Sequence, residues 1–218
     1  SKNGGGFSVR PSGGDTLYSE KLLISTGGFS YPKTGSDGDG YKFAESFGHT
    51  VVRPTASLVP LVLAEKELCI SLQGLSLKNT GLKIERAGKT VYNDFGEMIF
   101  THFGVSGPMI LSGSAYSEKG DRLILDLKPA LTEEVLRDRI ARELAGLEPT
   151  EFFGELLRKL VPKPLVMPLA QEMDIHSKCY VGKLTEEQIT RLVRTLKGLT
   201  FPITDYAPFE YAVVTAGG

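Results

Sequence analysis

The hydrophobic period of this chain changes twice, and that double switch limits the possible folds more than any single motif. From residue 57 to about 127 apolar residues come in short runs or alternate: Leu58 and Val59 before Pro60, Leu61, Val62 and Leu63 after it, Leu82 and Ile84 between Lys83 and Glu85, then Leu123, Leu125 and Leu127. A period of two with short turns, such as Ala87-Gly88-Lys89, predicts antiparallel strands of a small barrel or sandwich. Between them, Ser106-Gly107-Pro108 followed by Met-Ile-Leu reads as a short helix with proline in its first turn.

Residues 131–197 are helical in pattern. Thr132 reads as an N-cap with Glu133 and Glu134 in the first turn, and Val135, Leu136, Ile140 and Leu144 form one stripe before Gly146. A second helix is predicted over 151–160 and a third over 169–173, after a segment punctuated by Pro162, Pro164 and Pro168. Thr185-Glu186-Glu187-Gln188 is a capping box stapled by Leu184 and Ile189. It opens a helix whose Ile189, Leu192, Val193 and Leu196 face one way, with Arg191, Arg194 and Lys197 on the solvated face. After Gly198 strands return, over 200–206 and 211–215. The fold class is therefore α+β: a small antiparallel β-barrel-like domain into whose sequence a helical subdomain is inserted.

The first third has another texture. It holds much of the chain's 25 Gly, with a hairpin signal at Ser12-Gly13-Gly14-Asp15, short strands predicted over 7–9, 17–19, 21–25 and 50–53, and a loop from Ser30 to Gly40 too rich in breakers for regular structure. Tyr41 to Gly48 reads as a short helix with His49 capping its end. Twenty-five Lys and Arg against 26 Asp and Glu give a net charge of -1, which predicts neither a nucleic-acid nor a membrane partner. Two cysteines, Cys69 and Cys179, exclude a disulfide framework, and with no apolar run of about 18 residues and no signal-peptide core a cytoplasmic location is expected. His176 and Cys179 form one His-x-x-Cys without a second pair, so no metal site is predicted.

Two predicted strands end alike. Ile24-Ser25-Thr26 runs into Gly27-Gly28, and Val213-Val214-Thr215-Ala216 into Gly217-Gly218. Glycines at strand ends let a ligand or another backbone come close. The strings STGGFSYPKTGSDGDGYKFAESFGH, DFGEMIFTHFGVSGP and AVVTAGG resemble successive motifs of the bacterial FAD-dependent NAD(P)H oxidoreductase family that includes a proposed bile-acid Δ4,6-reductase. That resemblance, over nearly the whole chain, implies a Rossmann-type FAD domain interrupted by a part-barrel, part-helical insert, with this chain as the insert plus a fragment of FAD-domain β-meander at its N-terminus. The fingerprint Gly-x-Gly-x-x-Gly occurs nowhere here.

In these terms residues 1–56 are a partial FAD-binding domain, 57–130 with 199–218 the barrel-like insert and return strand, and 131–198 the helical subdomain. The resemblance assigns Thr26, Gly27, Gly28, Ser30, Thr215, Gly217 and Gly218 to the cofactor. His102, at the end of a β segment, and Tyr31, in the breaker-rich loop, are the rival proton donors; a structural role bonded to nearby carbonyls is the competing reading for each. The expected activity is that of the substrate-side region of a reductase in which NAD(P)H reduces FAD and the flavin reduces a small organic acceptor, such as a conjugated C=C or a similar group. The missing Rossmann domain of the same polypeptide is the expected partner, and the chain alone is expected to be inactive. The alternative is a non-catalytic module that docks on a separate nucleotide-binding domain.

Overall fold

A computed structural model describes residues 1–218, the side chains of residues 2 and 3 excepted. In chain order the strands are β1 (Lys2–Asn3), β2 (Gly6–Val9), β3 (Leu17–Ser19), β4 (Thr55–Ser57), β5 (Leu61–Leu63), β6 (Ser76–Arg86), β7 (Lys89–Thr101), β8 (Gly104–Ser106), β9 (Arg122–Asp126), β10 (Leu199–Tyr206) and β11 (Val214–Ala216). The helices are α1 (Asp39–Ser46), α2 (Lys66–Leu72), α3 (Pro108–Ser114), α4 (Glu133–Ala145), α5 (Phe153–Leu160), α6 (Val166–Glu172) and α7 (Glu186–Lys197). They divide into two compact units, one of Ser1–Ser57 with Pro208–Gly218 and one of Leu58–Ala207. Among the described residues no helix is long and apolar enough to cross a membrane.

The larger unit is a closed antiparallel barrel, ordered β10-β5-β8-β7-β6-β9, with the helices of 133–197 entering between β9 and β10. Closure depends on β10, which pairs with β9 through Leu199↔Leu125 on one edge and with β5 through Tyr206↔Leu61 on the other. Alternation sends Leu61 and Leu63, Leu82 and Ile84, Met98 and Phe100, Leu123 and Leu125, and Phe201 and Ile203 inward, all buried. The helices continue this core, with Leu136, Ile140, Leu156, Leu157, Leu192, Val193 and Leu196 in the same apolar cluster. The predicted α+β class is the observed one.

Side-chain caps set the start of two helices. Thr132 Oγ1 accepts from the Val135 N–H at α4, and at α7 both halves of the capping box form, Thr185 Oγ1 taking the Gln188 N–H and Gln188 Oε1 the Thr185 N–H. Helix α5 starts later than its sequence suggests because the Phe153 and Gly154 amides donate to the Cys179 and Ser177 carbonyls. Val135 lies 46% exposed, off the α4 stripe. Lys197 leaves the solvated face: its Nζ donates to the Lys128 and Leu131 carbonyls and sits 2.6 Å from Asp126 Oδ2, which ties the end of α7 to the end of β9.

The β6–β7 hairpin turns on Ala87-Gly88, whose φ values of 48° and 78° put both residues in the left-handed region with Arg86 and Lys89 paired around them. That is the two-residue turn that favours Asn-Gly, and alanine is strained there. Ala87→Asn is expected to stabilise the unit by about 1 kcal/mol, read as a rise of roughly 2–4 °C in the thermal midpoint.

The smaller unit consists of the antiparallel sheet β1-β2-β3, helix α1 and the pair β4–β11. The predicted strands at 21–25 and 50–53 differ from what is observed: residues 21–28 join no sheet, and the strand after α1 lies at Thr55–Ser57. Among the described residues, Ala212 is the one buried hydrophobic side chain of this unit, every other belonging to the barrel and helices. It therefore has almost no core of its own.

Candidate functional site

The segments Thr26-Gly27-Gly28 and Thr215-Ala216-Gly217-Gly218 come together in the smaller unit. Thr215, held in β11 opposite Ala56 of β4, directs its hydroxyl at the turn that follows Gly28. The Phe29 N–H donates to Thr215 Oγ1 at 2.9 Å and the Ser30 N–H at 3.1 Å, while Ser30 Oγ lies 3.1 Å from the same oxygen. Gly28 is required by this contact, since a Cβ there would stand 2.6 Å from Thr215 Oγ1 and 2.9 Å from the Tyr41 hydroxyl. Gly217, at φ 89°, packs against the Val52 and Arg53 carbonyls, and Gly218 exchanges hydrogen bonds with Val52. Thus the glycines serve close approach of one backbone segment to another within the chain.

Sequence reasoning missed the residues that complete this hub. Tyr41, on the first turns of α1, lies against Gly28 and Gly218, and Phe29 contacts both its ring and that of Phe209 at centroid distances of 5.5 and 5.8 Å. The only hint was an aromatic in a helix directly after a glycine loop. At the start of that helix Asp37 Oδ1 accepts the Asp39 N–H. The Asp39 hydrogen bond, and then its charge, holds the Lys42 ammonium above the usual lysine range.

Tyr31 follows directly. Its φ of 55° and ψ of 53° are left-handed for a bulky residue preceding proline, while its carbonyl accepts from both the Thr34 N–H and the Thr34 hydroxyl. The backbone is pinned in a strained conformation and the side chain is 56% exposed. Thr26 packs its hydroxyl near Gly40 of α1, and a Cβ at Gly27 would meet Ser36 Oγ. Thr26, Gly27, Gly28, Ser30, Tyr31, Thr215, Gly217 and Gly218 all belong to this unit.

His102 belongs to the other unit, at the tip of the β7–β8 hairpin, where Thr101 Oγ1 accepts from the Gly104 N–H. The imidazole is exposed and packs edge-on against Phe103 at 4.8 Å. The cysteines also differ. Burial first, then the nearby Glu65 charge, pushes the Cys69 thiol up to about 11, whereas Cys179 is half-buried in a surface segment. Ellman's reagent at pH 8 is expected to titrate Cys179 alone in the native chain and Cys69 only after denaturation. Among the described residues no group of three or more His, Cys, Asp or Glu is placed to hold a metal ion.

Into the hub runs segment 21–28, which belongs to no helix or strand. No backbone hydrogen bond joins it to another described residue. Leu22, Leu23 and Ile24 line a groove of about 760 Å³ together with Val9, Phe43 and Phe47, and Leu23 is 88% exposed. Unpaired backbone amides, the Ser30 hydroxyl and glycine-lined turns are groups that suit one wall of a dinucleotide site; the phosphate-binding glycine fingerprint is not in this sequence.

Residues 55–214 match the family model described as the HI0933-like protein barrel and H2TH domain, a span that takes in the whole barrel and its helices. The chain belongs to this HI0933-like family. It is 31% identical over 202 residues to a ribosomal RNA dihydrouridine synthase of Haemophilus influenzae, covering 91% of this chain and 47% of that protein. A protein of the same name from Escherichia coli is 32% identical over 213 residues, covering 94% and 49%. A 3-dehydro-bile acid delta(4,6)-reductase of Clostridium scindens is 26% identical over 220 residues, covering 98% and 53%. The HI0933-like chain thus spans about half the length of the curated relatives it matches.

Proposed function

We propose that this chain is the barrel, helical insert and adjoining wall of a flavin-dependent reductase that saturates a C=C bond conjugated with a carbonyl. The supporting observation is the hub built from Thr26, Gly27, Gly28, Thr215, Gly217 and Gly218, in a chain whose relatives are named for such saturations. A dihydrouridine is a uridine saturated next to the uracil carbonyl, and a 3-dehydro-Δ4,6 acid is a dienone; one addition of hydride to a conjugated carbon and of a proton beside the carbonyl serves both. Bound FAD, reduced by NAD(P)H, would supply the hydride.

This chain's residues bind, orient and protonate. The unpaired amides of 21–28 and the Ser30 hydroxyl are the groups offered to the cofactor. Tyr31 is the favoured proton donor over His102, because it shares a unit with the cofactor residues and is fixed in a strained backbone conformation next to Ser30. The core-poor smaller unit and the unpaired run at 21–28 support a Rossmann domain elsewhere in the polypeptide as its partner.

The more identical relatives favour a uridine of ribosomal RNA as the acceptor over a small organic molecule. Since 25 cationic residues are balanced by 26 anionic ones here, the phosphate contacts in that reading come from the rest of the parent protein. The test uses the full-length parent with FAD and NAD(P)H. It is expected to be yellow and to form dihydrouridine in ribosomal RNA from a strain lacking it, scored by mass spectrometry beside a 3-oxo-4,6-diene acid. Tyr31→Phe is expected to lower turnover by about 10²-fold or more while leaving flavin reduction unchanged. A colourless parent, or one that saturates neither acceptor, would overturn the proposal.

A further inference from the structure

The hydroxyl of Thr215 has two acceptor positions and one proton. The Phe29 and Ser30 amides, at 2.9 and 3.1 Å, occupy both acceptor positions. The Thr215 proton is therefore left for Ser30 Oγ, 3.1 Å away, and Ser30 Oγ becomes its acceptor. Ser30's own proton then points away from Thr215, and among the described residues Ser30 Oγ has no other hydrogen-bond partner. Thr215 is itself fixed by the β4–β11 register, and the space beside it is closed by Gly28, which tolerates no Cβ. The polarity of the whole chain of bonds is thus set by one threonine.

We propose that Thr215 is a positioning residue that holds the turn of residues 27–30 and orients Ser30 as a hydrogen-bond donor to an acceptor atom of the bound flavin. This rests on the flavin reading above and goes beyond it, since there Thr215 is only one of the residues of the hub. Valine at 215 would keep the shape and leave two amides without an acceptor; serine would keep every bond.

The test is made on the full-length parent, freed of flavin, by FAD titration and by hydrogen exchange of the Phe29 and Ser30 amides. Thr215→Val is expected to speed both exchanges at least about tenfold and to weaken FAD by a similar factor. Thr215→Ser is expected to stay within about threefold of the wild type in both. Ser30→Ala should weaken FAD while leaving the Phe29 amide protected, and adding it to Thr215→Val should cost little more, because the two act through one bond. If Thr215→Val prevents folding, the contrast between Ser30→Ala and Thr215→Ser carries the test. Unchanged FAD affinity in Thr215→Val or Ser30→Ala, or additive losses in the double variant, would overturn this proposal alone. A wild-type parent that binds no FAD would overturn it together with the flavin reading.

Discussion

Asp121→Asn is expected to destabilise the barrel unit by about 2–3 kcal/mol at neutral pH, lowering its thermal midpoint by roughly 5–10 °C. Asp121 is 3% exposed and accepts from Arg86 Nε and Nη2, both at 3.0 Å, and from the Glu118 N–H at 2.6 Å. The same guanidinium reaches the Tyr116 carbonyl and Glu118 Oε1, so it ties the end of β6 to the segment before β9. An asparagine keeps the volume, loses the charge and turns an NH2 group toward the guanidinium. Because Arg86 is about a third exposed (36%), solvent screening keeps the loss near the lower end for buried pairs. Burial pushes the Asp121 carboxyl up, but the Arg86 hydrogen bond, the Glu118 amide and the guanidinium charge outweigh it and leave the pKa below the ordinary value. A carboxyl depressed by folding stabilises above its unfolded pKa of about 3.9 and loses that contribution as pH falls through the folded value. The midpoint difference between wild type and Asp121→Asn should therefore be constant above about pH 5 and close below about pH 4. A difference independent of pH down to the acid limb would show that the loss is one of packing.

Local signals made the helices and most barrel strands legible. The box at Thr185 to Gln188, the proline at 108 and the alternation through Leu123 and Leu125 are each set within a few residues of chain. What was not legible is non-local. Leu58 and Val59 are as apolar as a strand, yet Leu58 sits at φ 48° and the Val59 amide donates to Ser114 Oγ, a partner 55 residues away. That β10 closes the barrel needs two pairings made at once, which no window of sequence holds. The recurring Gly-Gly after a threonine-bearing strand end marked the hub, because only glycine survives such approach. The use made of the Thr215 hydroxyl, by amides nearly the whole chain away, left no pattern to read.

Leu23→Glu should separate the chain from its parent more sharply than any other surface change. In the 218-residue chain Leu23 is 88% exposed on a segment whose backbone pairs with nothing, so the substitution is expected to change stability by less than about 0.5 kcal/mol and to improve solubility. The sequence Leu22-Leu23-Ile24 is apolar on both faces, which suits a strand covered on both sides of a mostly parallel sheet and makes no sense for one left in water. If residues 21–28 occupy such a sheet in the parent, Leu23→Glu forfeits about 2 kcal/mol of apolar burial and in addition forces a carboxylate into an apolar layer. The combined loss, at least about 4 kcal/mol, is enough to leave the parent insoluble or without flavin. Val135→Glu, at a 46% exposed position on α4, is the control expected to be neutral in both. A parent that tolerates Leu23→Glu as well as Val135→Glu would mean that the groove beside Leu23 stays open to solvent. The smaller unit would then have no sheet to complete, and the docking of a nucleotide-binding domain on this face would have to be abandoned.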